Sequence, residues 1–270
     1  MKKFTVSAPA SLKEFTDATY PQGSFCLAAL LRSRDVKVNG ARVGTSVPLK
    51  AGDEVVYYTT PKQESLVSHT TVYEDENILI ADKHDGVETS ALLCELQAGG
   101  EYYAVHRLDR NTKGLIVFAK NKGAEDKLLS AFKERRVEKV YLARCKNNFK
   151  TDGALLTAYL KKDADSSTVK IFDNEVKGSV KIVTEYRVIE SYGDTALAEV
   201  TLHTGKTHQI RAHLAHIGCP VLGDEKYGDS ALNKKYGAKR QCLVSYKLCF
   251  KLSGGLEYLN KKEFVSGFKP

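Results

Sequence analysis

Two segments of the chain contain the side chains best suited to do chemistry. Residues 105–120 are VHRLDRNTKGLIVFAK, and residues 204–228 are TGKTHQIRAHLAHIGCPVLGDEKYG. In the first segment Asp109 follows Arg107 by two residues and precedes the apolar run 114–119, which predicts a buried strand. A neighbouring cation keeps a carboxylate ionised at neutral pH. We therefore predict that Asp109 is held at the mouth of this strand as a nucleophile or a base.

The second segment predicts a helix that begins at Thr207 and carries Arg211 near its start. Ile210, Leu214 and Ile217 would form the apolar face of that helix. An arginine can bind both oxygens of a carboxylate, which a lysine does less well. Taken alone, the aspartate could equally be a structural residue at a turn, and the arginine a surface or phosphate-binding residue.

Composition bounds the class of protein. A chain of 270 residues with 42% hydrophobic content has room for one large domain and a small one. It contains no apolar run of membrane-spanning length and no signal-peptide core, so we expect a cytoplasmic protein. The six cysteines form no Cys-x-x-Cys pair, which favours reduced thiols over a zinc site or a disulfide framework.

The positive charge is concentrated in two tracts. The net charge is +8, with 13 Lys or Arg against 5 Asp or Glu in residues 105–150, and 10 against 3 in residues 226–270. Such tracts suit a polyanion, because each neutralised phosphate releases condensed counterions. A solvated surface that only favours solubility is the simpler alternative.

The pattern along the chain predicts a small domain over residues 1–60, a linker over 61–71 and a large domain over 72–270. The small domain should contain a helix over 24–34 and a hairpin that turns at Asn39-Gly40, and Gly52-Asp53 should lead into its last strand. The linker is polar and contains Pro61.

From residue 72 onward strands outnumber helices. This order predicts an α+β fold with a mainly antiparallel mixed sheet. Helices are predicted within 89–98, 123–135 and 207–217. Strands are predicted at 78–83, 114–120, 140–145, 155–160, 168–172, 180–189, 196–203 and 242–250.

Together, the two chemistry-bearing segments resemble the RluA family of pseudouridine synthases, whose signatures are roughly HRLDxxTSGL and TGRTHQIRxH…GxPxxGDxxYG. Residues 1–60 resemble the small RNA-binding domain first described in a ribosomal small-subunit protein. The resemblance implies the pseudouridine synthase fold over 72–270, a long sheet with its cleft across the middle. It further implies that the substrate is a flipped uridine within ribosomal or transfer RNA and that no cofactor is needed. We expect the protein to act as a monomer.

The resemblance also implies roles for individual residues. Asp109 would be the catalytic carboxylate, and whether it attacks the sugar, attacks the base or removes a sugar proton stays open. Arg211 would pair with Asp109. Tyr141 would stack on the uracil and take the carbon 5 proton, and Leu243 would close the uracil pocket.

Four further residues are implied to contact the substrate or support the site. Arg107 would fill the stack that the flipped base leaves, and His106 would be a structural hydrogen-bonding residue. Lys83, in a Lys-x-x-Gly turn, and Lys206 would also contact the substrate. We predict no metal site, because no acidic or cysteine ligand stands at suitable spacing from the histidines of the second segment.

The chain departs from the family pattern at Lys113, Lys206, His84 and Val244, so the target of a familiar member should not be assumed. Two other functions compete with an RNA pseudouridine synthase. One is an RNA-binding assembly factor that has lost catalysis, and the other is a glycosylase that removes a flipped base. An intact Asp109, Tyr141 and Arg211 argues against the first, because binding alone does not need that set.

Overall fold

A computed structural model describes residues 1–163 and 166–270. These residues form a four-stranded sheet near the N-terminus, a two-stranded ribbon and an eleven-stranded sheet. No helix in the described part of the chain is long and apolar enough to cross a membrane.

The small sheet, the ribbon and two helices make up the N-terminal unit, residues 1–57. Its strands run in the order β1-β6-β3-β4, and its helices bury an apolar face against them around Leu12, Leu30 and Tyr57. The elements are β1 (Lys2–Thr5), β2 (Ala10–Ser11), α1 (Leu12–Thr19), α2 (Pro21–Arg32), β3 (Val36–Val38), β4 (Ala41–Val43), β5 (Pro48–Leu49) and β6 (Glu54–Tyr57).

The N-terminal unit confirms the predicted turn and corrects the predicted helix. Asn39 and Gly40 have φ of 48° and 82° between β3 and β4, as a tight hairpin turn requires. The helix predicted over 24–34 begins earlier, at Pro21, and ends at Arg32. A second helix, α1, precedes it, with Ser11 and Glu14 forming a capping box at its start.

The segment predicted as a linker, 61–71, is more structured than expected. It contains the short helix α3 (Pro61–Glu64), capped by Thr60, and the first residues of strand β7 (His69–Glu74). Because β7 pairs with the next strand from His69 onward, the large sheet begins three residues before the predicted boundary at 72.

The large sheet has the strand order β13-β12-β14-β15-β11-β16-β10-β8-β7, with β9 beside β10 and β17 beside β16. All eight predicted strands and the three predicted helices are present. The remaining elements are β8 (Ile78–Lys83), α4 (Thr89–Gln97), β9 (Tyr103–Ala104), β10 (Lys113–Ala119), α5 (Lys122–Lys133), β11 (Val137–Lys146), β12 (Gly153–Lys162), β13 (Val169–Phe172), β14 (Val180–Tyr192), β15 (Thr195–Leu202), α6 (Gln209–His216), α7 (Ser230–Lys235), β16 (Leu243–Phe250), a short 3₁₀ turn (Glu257–Leu259) and β17 (Glu263–Val265).

Strand β10 lies inside the sheet, between β16 and β8, and is buried on both faces. Ile116 and Phe118 enter one apolar core, whereas Leu115 and Val117 enter the other. Alternation of side chains between two covered faces explains why this strand is a continuous apolar run.

The sheet changes from antiparallel to parallel pairing where β10 meets β16. Lys113 and Gly114 pair with Val244 and Ser245, and the other strand pairs among the described residues are antiparallel. Gly114 has φ of 110°, and a Cβ there would lie 2.3 Å from the carbonyl oxygen of Ser245. Only glycine allows these two strands to approach so closely, and the candidate site lies at this junction.

Candidate active site

A cleft of about 500 Å³ opens where the loop before β10, the strands β11 and β16 and the start of α6 meet. Seven of the eight residues predicted for the site line this cleft, and Lys83 does not. The seven are His106, Arg107, Asp109, Tyr141, Lys206, Arg211 and Leu243.

The backbone on both sides of Asp109 is fixed by local contacts. Leu108 is buried, and its amide and carbonyl both bond to the hydroxyl of Thr89 at 3.2 Å. The amide of Thr112 donates to the carbonyl of Asp109 at 3.1 Å, which closes a turn into β10. The side chain of Asp109 is 17% exposed and faces the cleft.

Arg211 joins Asp109 to a second carboxylate. Its Nη1 donates to Oδ2 of Asp109 at 2.9 Å, while Nε and Nη2 donate to the two oxygens of Asp224 at 2.6 and 2.9 Å. The guanidinium plane is therefore fixed by a bidentate pair and presents its remaining edge to Asp109. No described residue donates to Oδ1 of Asp109, so this oxygen is available to a substrate in the cleft.

Asp224 is the main functional residue that sequence reasoning missed. Its carboxylate is fully buried, and Oδ1 also accepts the amides of Lys226 and Tyr227 at 2.9 and 3.1 Å. Burial alone would raise the pKa of Asp224, but Arg211 and the two amides lower it below its usual value. The sequence signal that could have found Asp224 is its position in GDEKYG, at the end of the second segment. The sequence analysis assigned no role to those residues.

The helix that carries Arg211 begins two residues later than predicted. Thr207 is exposed and outside α6, and His208 precedes the helix with φ of 55°. Gln209 fixes the start instead. Its Nε2 donates to the carbonyl of Val183, and its Oε1 accepts the amide of Lys206 at 3.1 Å.

Tyr141 lies beside a β-bulge. The pairing of β11 with β16 shifts between Val140 and Tyr141, which leaves Tyr246 without an opposite residue. Bulges of this kind re-aim a side chain next to a site. Tyr141 is 6% exposed, and burial together with the charge of Asp109 raises the pKa of its hydroxyl to about 12, against the opposing bond with Ser245. The phenol is therefore protonated at neutral pH.

The two residues that precede Leu108 in the Asp109 loop, His106 and Arg107, have different environments. His106 stacks on Phe132 with ring centroids 4.5 Å apart, and its Nε2 accepts the amide of Val117 at 3.0 Å. Burial lowers the pKa of His106 to about 3, so the ring is neutral and structural. Arg107 is exposed, with no hydrogen-bonding or ionic partner among the described residues.

His208 was not predicted as a site residue, yet it also lines the cleft. Its Nε2 lies 3.9 Å from Oδ2 of Asp109, and its Nδ1 is 2.9 Å from the hydroxyl of Tyr227. Burial lowers the pKa of His208. A neutral ring here leaves Arg211 as the cation that balances Asp109.

The predicted contact of Lys83 with the substrate does not agree with the structure. Its side chain is fully buried, and the ammonium donates to the carbonyls of His84, Val87 and Arg110 at 2.8–3.1 Å. Burial lowers its pKa to about 7. In this position Lys83 cannot contact a substrate in the cleft, and it instead holds the turn behind the Asp109 loop.

Three of the four departures from the family pattern also lie outside the cleft. Lys113 lies over the ring of Phe268, His84 packs edge-on against the same ring, and Val244 is buried in the sheet. Only the fourth, Lys206, is exposed on the cleft wall.

The wall of the cleft is strongly basic. Among the described residues that line it, Asp109 is the only carboxylate, and the cations are Arg107, Lys133, Arg135, Lys139, Lys206 and Arg211. Within the described ranges, 1–163 and 166–270, no group of three His, Cys, Asp or Glu side chains is placed to hold a metal ion.

A large mixed sheet with a basic cleft, and a cleft carboxylate held by an arginine, agree with the pseudouridine synthase fold and site that the resemblance implies. The RNA pseudouridylate synthase family model matches residues 57–216, and the chain belongs to this family of RNA-modifying isomerases. Ribosomal large subunit pseudouridine synthase C of Vibrio cholerae is 29% identical over 82% of this chain and 78% of that protein. An uncharacterized RNA pseudouridine synthase of Aquifex aeolicus is 34% identical over 88% and 85%.

A solved structure agrees with these sequence relatives. Human RNA pseudouridylate synthase domain containing 1 superimposes with a TM-score of 0.60 at 25% identity, over 75% of this chain and 83% of that one. The predicted fold class and enzyme class are thus confirmed. The alternative of an inactive assembly factor is not favoured.

Proposed function

We propose that Asp109 is the reacting carboxylate of this RNA pseudouridine synthase and that Oδ1 is the oxygen that reacts. The observation that carries the proposal is the chain of hydrogen bonds from Asp224 through Arg211 to Asp109, which occupies Oδ2 and leaves Oδ1 without a donor among the described residues. Acting as a nucleophile or as a base, Asp109 starts the reaction by breaking the bond between N1 of the uracil and the sugar.

The reaction rearranges one nucleotide without any redox change. The N1–sugar bond breaks, the base turns, and carbon 5 bonds to the sugar in its place. Carbon 5 then loses its proton and N1 gains one, so the product has the same mass as the substrate. No cofactor is required by this balance, and we expect none.

Tyr141 and Leu243 contact the flipped base, whereas Arg107 contacts the RNA that the base has left. Tyr141 stacks on the uracil. Its raised pKa keeps the phenol protonated beforehand. It therefore accepts the carbon 5 proton only as its own proton passes to N1 of the base, which gains one in the reaction. Leu243 forms the apolar wall of the uracil pocket. Arg107, exposed and unpaired among the described residues, fills the gap left by the flipped base.

The substrate we propose is ribosomal or transfer RNA. The name of the Vibrio cholerae relative refers to the large ribosomal subunit, and the basic cleft wall suits a phosphate backbone, with Lys206 among the phosphate contacts. Residues 1–60 act as a small RNA-binding domain that adds affinity or selectivity. The protein works as a cytoplasmic monomer.

The experiment that tests this function maps pseudouridines in total RNA from cells with and without the gene. We expect one or a few uridines in ribosomal or transfer RNA to lose the modification, and purified protein to restore it at unchanged mass. Binding to that RNA should weaken steeply between low and high salt, because several phosphates are contacted. Release of free uracil would support a glycosylase instead. Tight binding with no pseudouridine on any cellular RNA would support an assembly factor.

A further inference from the structure

The N-terminal unit lies directly against the part of the large domain that carries the Asp109 loop. Helices α1 and α2 both pack on α4, and Phe25 of α2 packs against the apolar core that contains Leu108. The thiol of Cys94 in α4 donates to the carbonyl of Ala18 at 2.8 Å. Lys13 of α1 lies 3.6 Å from Glu88, the residue that precedes α4.

Arg110, the residue after Asp109, crosses this interface. Its Nε donates to the carbonyl of Gly86, and its Nη2 donates to the carbonyl of Ser24 in α2, both at 3.0 Å. One guanidinium therefore ties the catalytic loop to the turn before α4 and to the N-terminal unit. The two bonds leave from different nitrogens of one planar group, which fixes the positions of the two carbonyls relative to each other.

The backbone of Arg110 is fixed in the same place. Its carbonyl accepts the amide of Gly86 at 3.0 Å and the ammonium of Lys83 at 3.1 Å. Gly86 itself has φ of 80°, and a Cβ there would lie 3.9 Å from the carbonyl of Phe25. The turn that supports the catalytic loop is thus held between the large sheet and α2.

We infer that Arg110 is a positioning residue that couples docking of the N-terminal unit to the alignment of Asp109. In this arrangement the unit does more than capture RNA. Its contact through Phe25 and Ser24 stiffens the 84–89 turn and the 108–112 loop, and hence sets the rate of the chemical step. The predicted effect on turnover rests on the proposed function. The predicted effect on the stiffness of the loop does not, because it can be measured without the reaction.

Two full-length variants test the coupling from its two sides. Arg110→Ala removes the bridge, and Phe25→Ser weakens docking without changing any residue of the 108–112 loop. Under saturating RNA we expect kcat to fall about tenfold for Arg110→Ala and about threefold for Phe25→Ser, each with KM within about twofold, because misaligned groups slow chemistry. Guanidinium ion should partly restore kcat of Arg110→Ala and leave Phe25→Ser unchanged. Arg187→Ala, at an exposed arginine paired with Glu199, is the matched control and should behave as wild type.

Hydrogen exchange gives a readout that needs no RNA. In Phe25→Ser, whose folding is checked by thermal melting, the amides of 84–89 and 108–112 should exchange faster than in wild type. Unchanged exchange and unchanged kcat in this variant would overturn the coupling, as would a rise in KM alone in both variants. A kcat loss confined to Arg110→Ala would assign a local role to Arg110 and also overturn it. An inactive wild type would contradict the proposed function, and the exchange result would still decide the inference.

Discussion

Arg211 binds two aspartates whose surroundings are opposite. Asp224 is fully buried and has both oxygens occupied, by Arg211 and by two backbone amides. Asp109 stands in a basic cleft, with one oxygen bound to Arg211 and the other without a donor among the described residues. The same residue type thus supports the structure at position 224 and is the proposed reactive group at position 109.

The difference is one of satisfied and unsatisfied hydrogen-bonding capacity. Removing a buried carboxylate whose acceptors are all occupied is destabilising, because its cation is left buried without compensation. A carboxylate with a free oxygen at a cleft contributes less to stability and more to chemistry. Substitutions at these residues and at their neighbours should therefore change stability and activity to different extents, from the largest effect on the free energy of unfolding to the smallest.

The largest destabilisation should come from Asp224→Ala. Removing this partner leaves the Arg211 guanidinium buried with only Asp109, and breaking a buried pair costs about 3–5 kcal/mol. Activity should also fall, because Arg211 loses its alignment. Chemical denaturation measures the loss, and Asp229→Ala, at a surface helix cap, is the control with an expected cost of about 1 kcal/mol. Equal stability of the two variants would show that Asp224 is not a support.

Lys83→Met should have the next largest effect. The change leaves the carbonyls of His84 and Val87 without this donor and the carbonyl of Arg110 with only the amide of Gly86, at a cost of about 2–4 kcal/mol. RNA affinity should hardly change in the folded variant. Lys206→Met is the matched comparison, and it should weaken RNA binding without loss of stability. Reversed results would restore Lys83 as a substrate contact.

Tyr141→Phe should cost about 1 kcal/mol or less, because one hydroxyl bond is lost and the ring keeps its packing. We expect near-normal RNA binding with pseudouridine formation reduced about 100-fold or more, since the proton acceptor is gone. Single-turnover assays measure this effect. Tyr186→Phe, whose hydroxyl lies near Thr151 in the same sheet, controls for loss of a buried hydroxyl. Wild-type turnover by the Tyr141 variant would rule out its assigned role.

How much the sequence could predict depended on how local the determining contacts are. The strand β10 and the Asn39-Gly40 turn follow from neighbouring residues, and both were predicted. Strand β1 was missed because it is ordered by pairing with β6, about fifty residues away along the chain. Helix α1 was missed because only Tyr20 separates it from α2.

The site shows the same division. Asp109 and Arg211 were predicted from the two quoted signatures and Tyr141 from its match to the family's Lys-x-Tyr segment, and the cleft does bring them together. The role of Asp224 depends on the direction in which Arg211 points, and the burial of Lys83 depends on carbonyls supplied by the 84–87 turn and by Arg110. Neither can be derived from residue type and spacing.

The most direct test of the account is Asp109→Asn, which should have the smallest effect on stability. The amide keeps an acceptor for Nη1 of Arg211, and Asp224 still fixes the guanidinium, so we expect less than about 1 kcal/mol of destabilisation. RNA affinity should be retained, whereas pseudouridine formation in a single-turnover assay should fall about 10⁴-fold or more, with the target recovered as intact uridine. A stable Asp109→Asn protein that still converts uridine to pseudouridine would contradict the central claim.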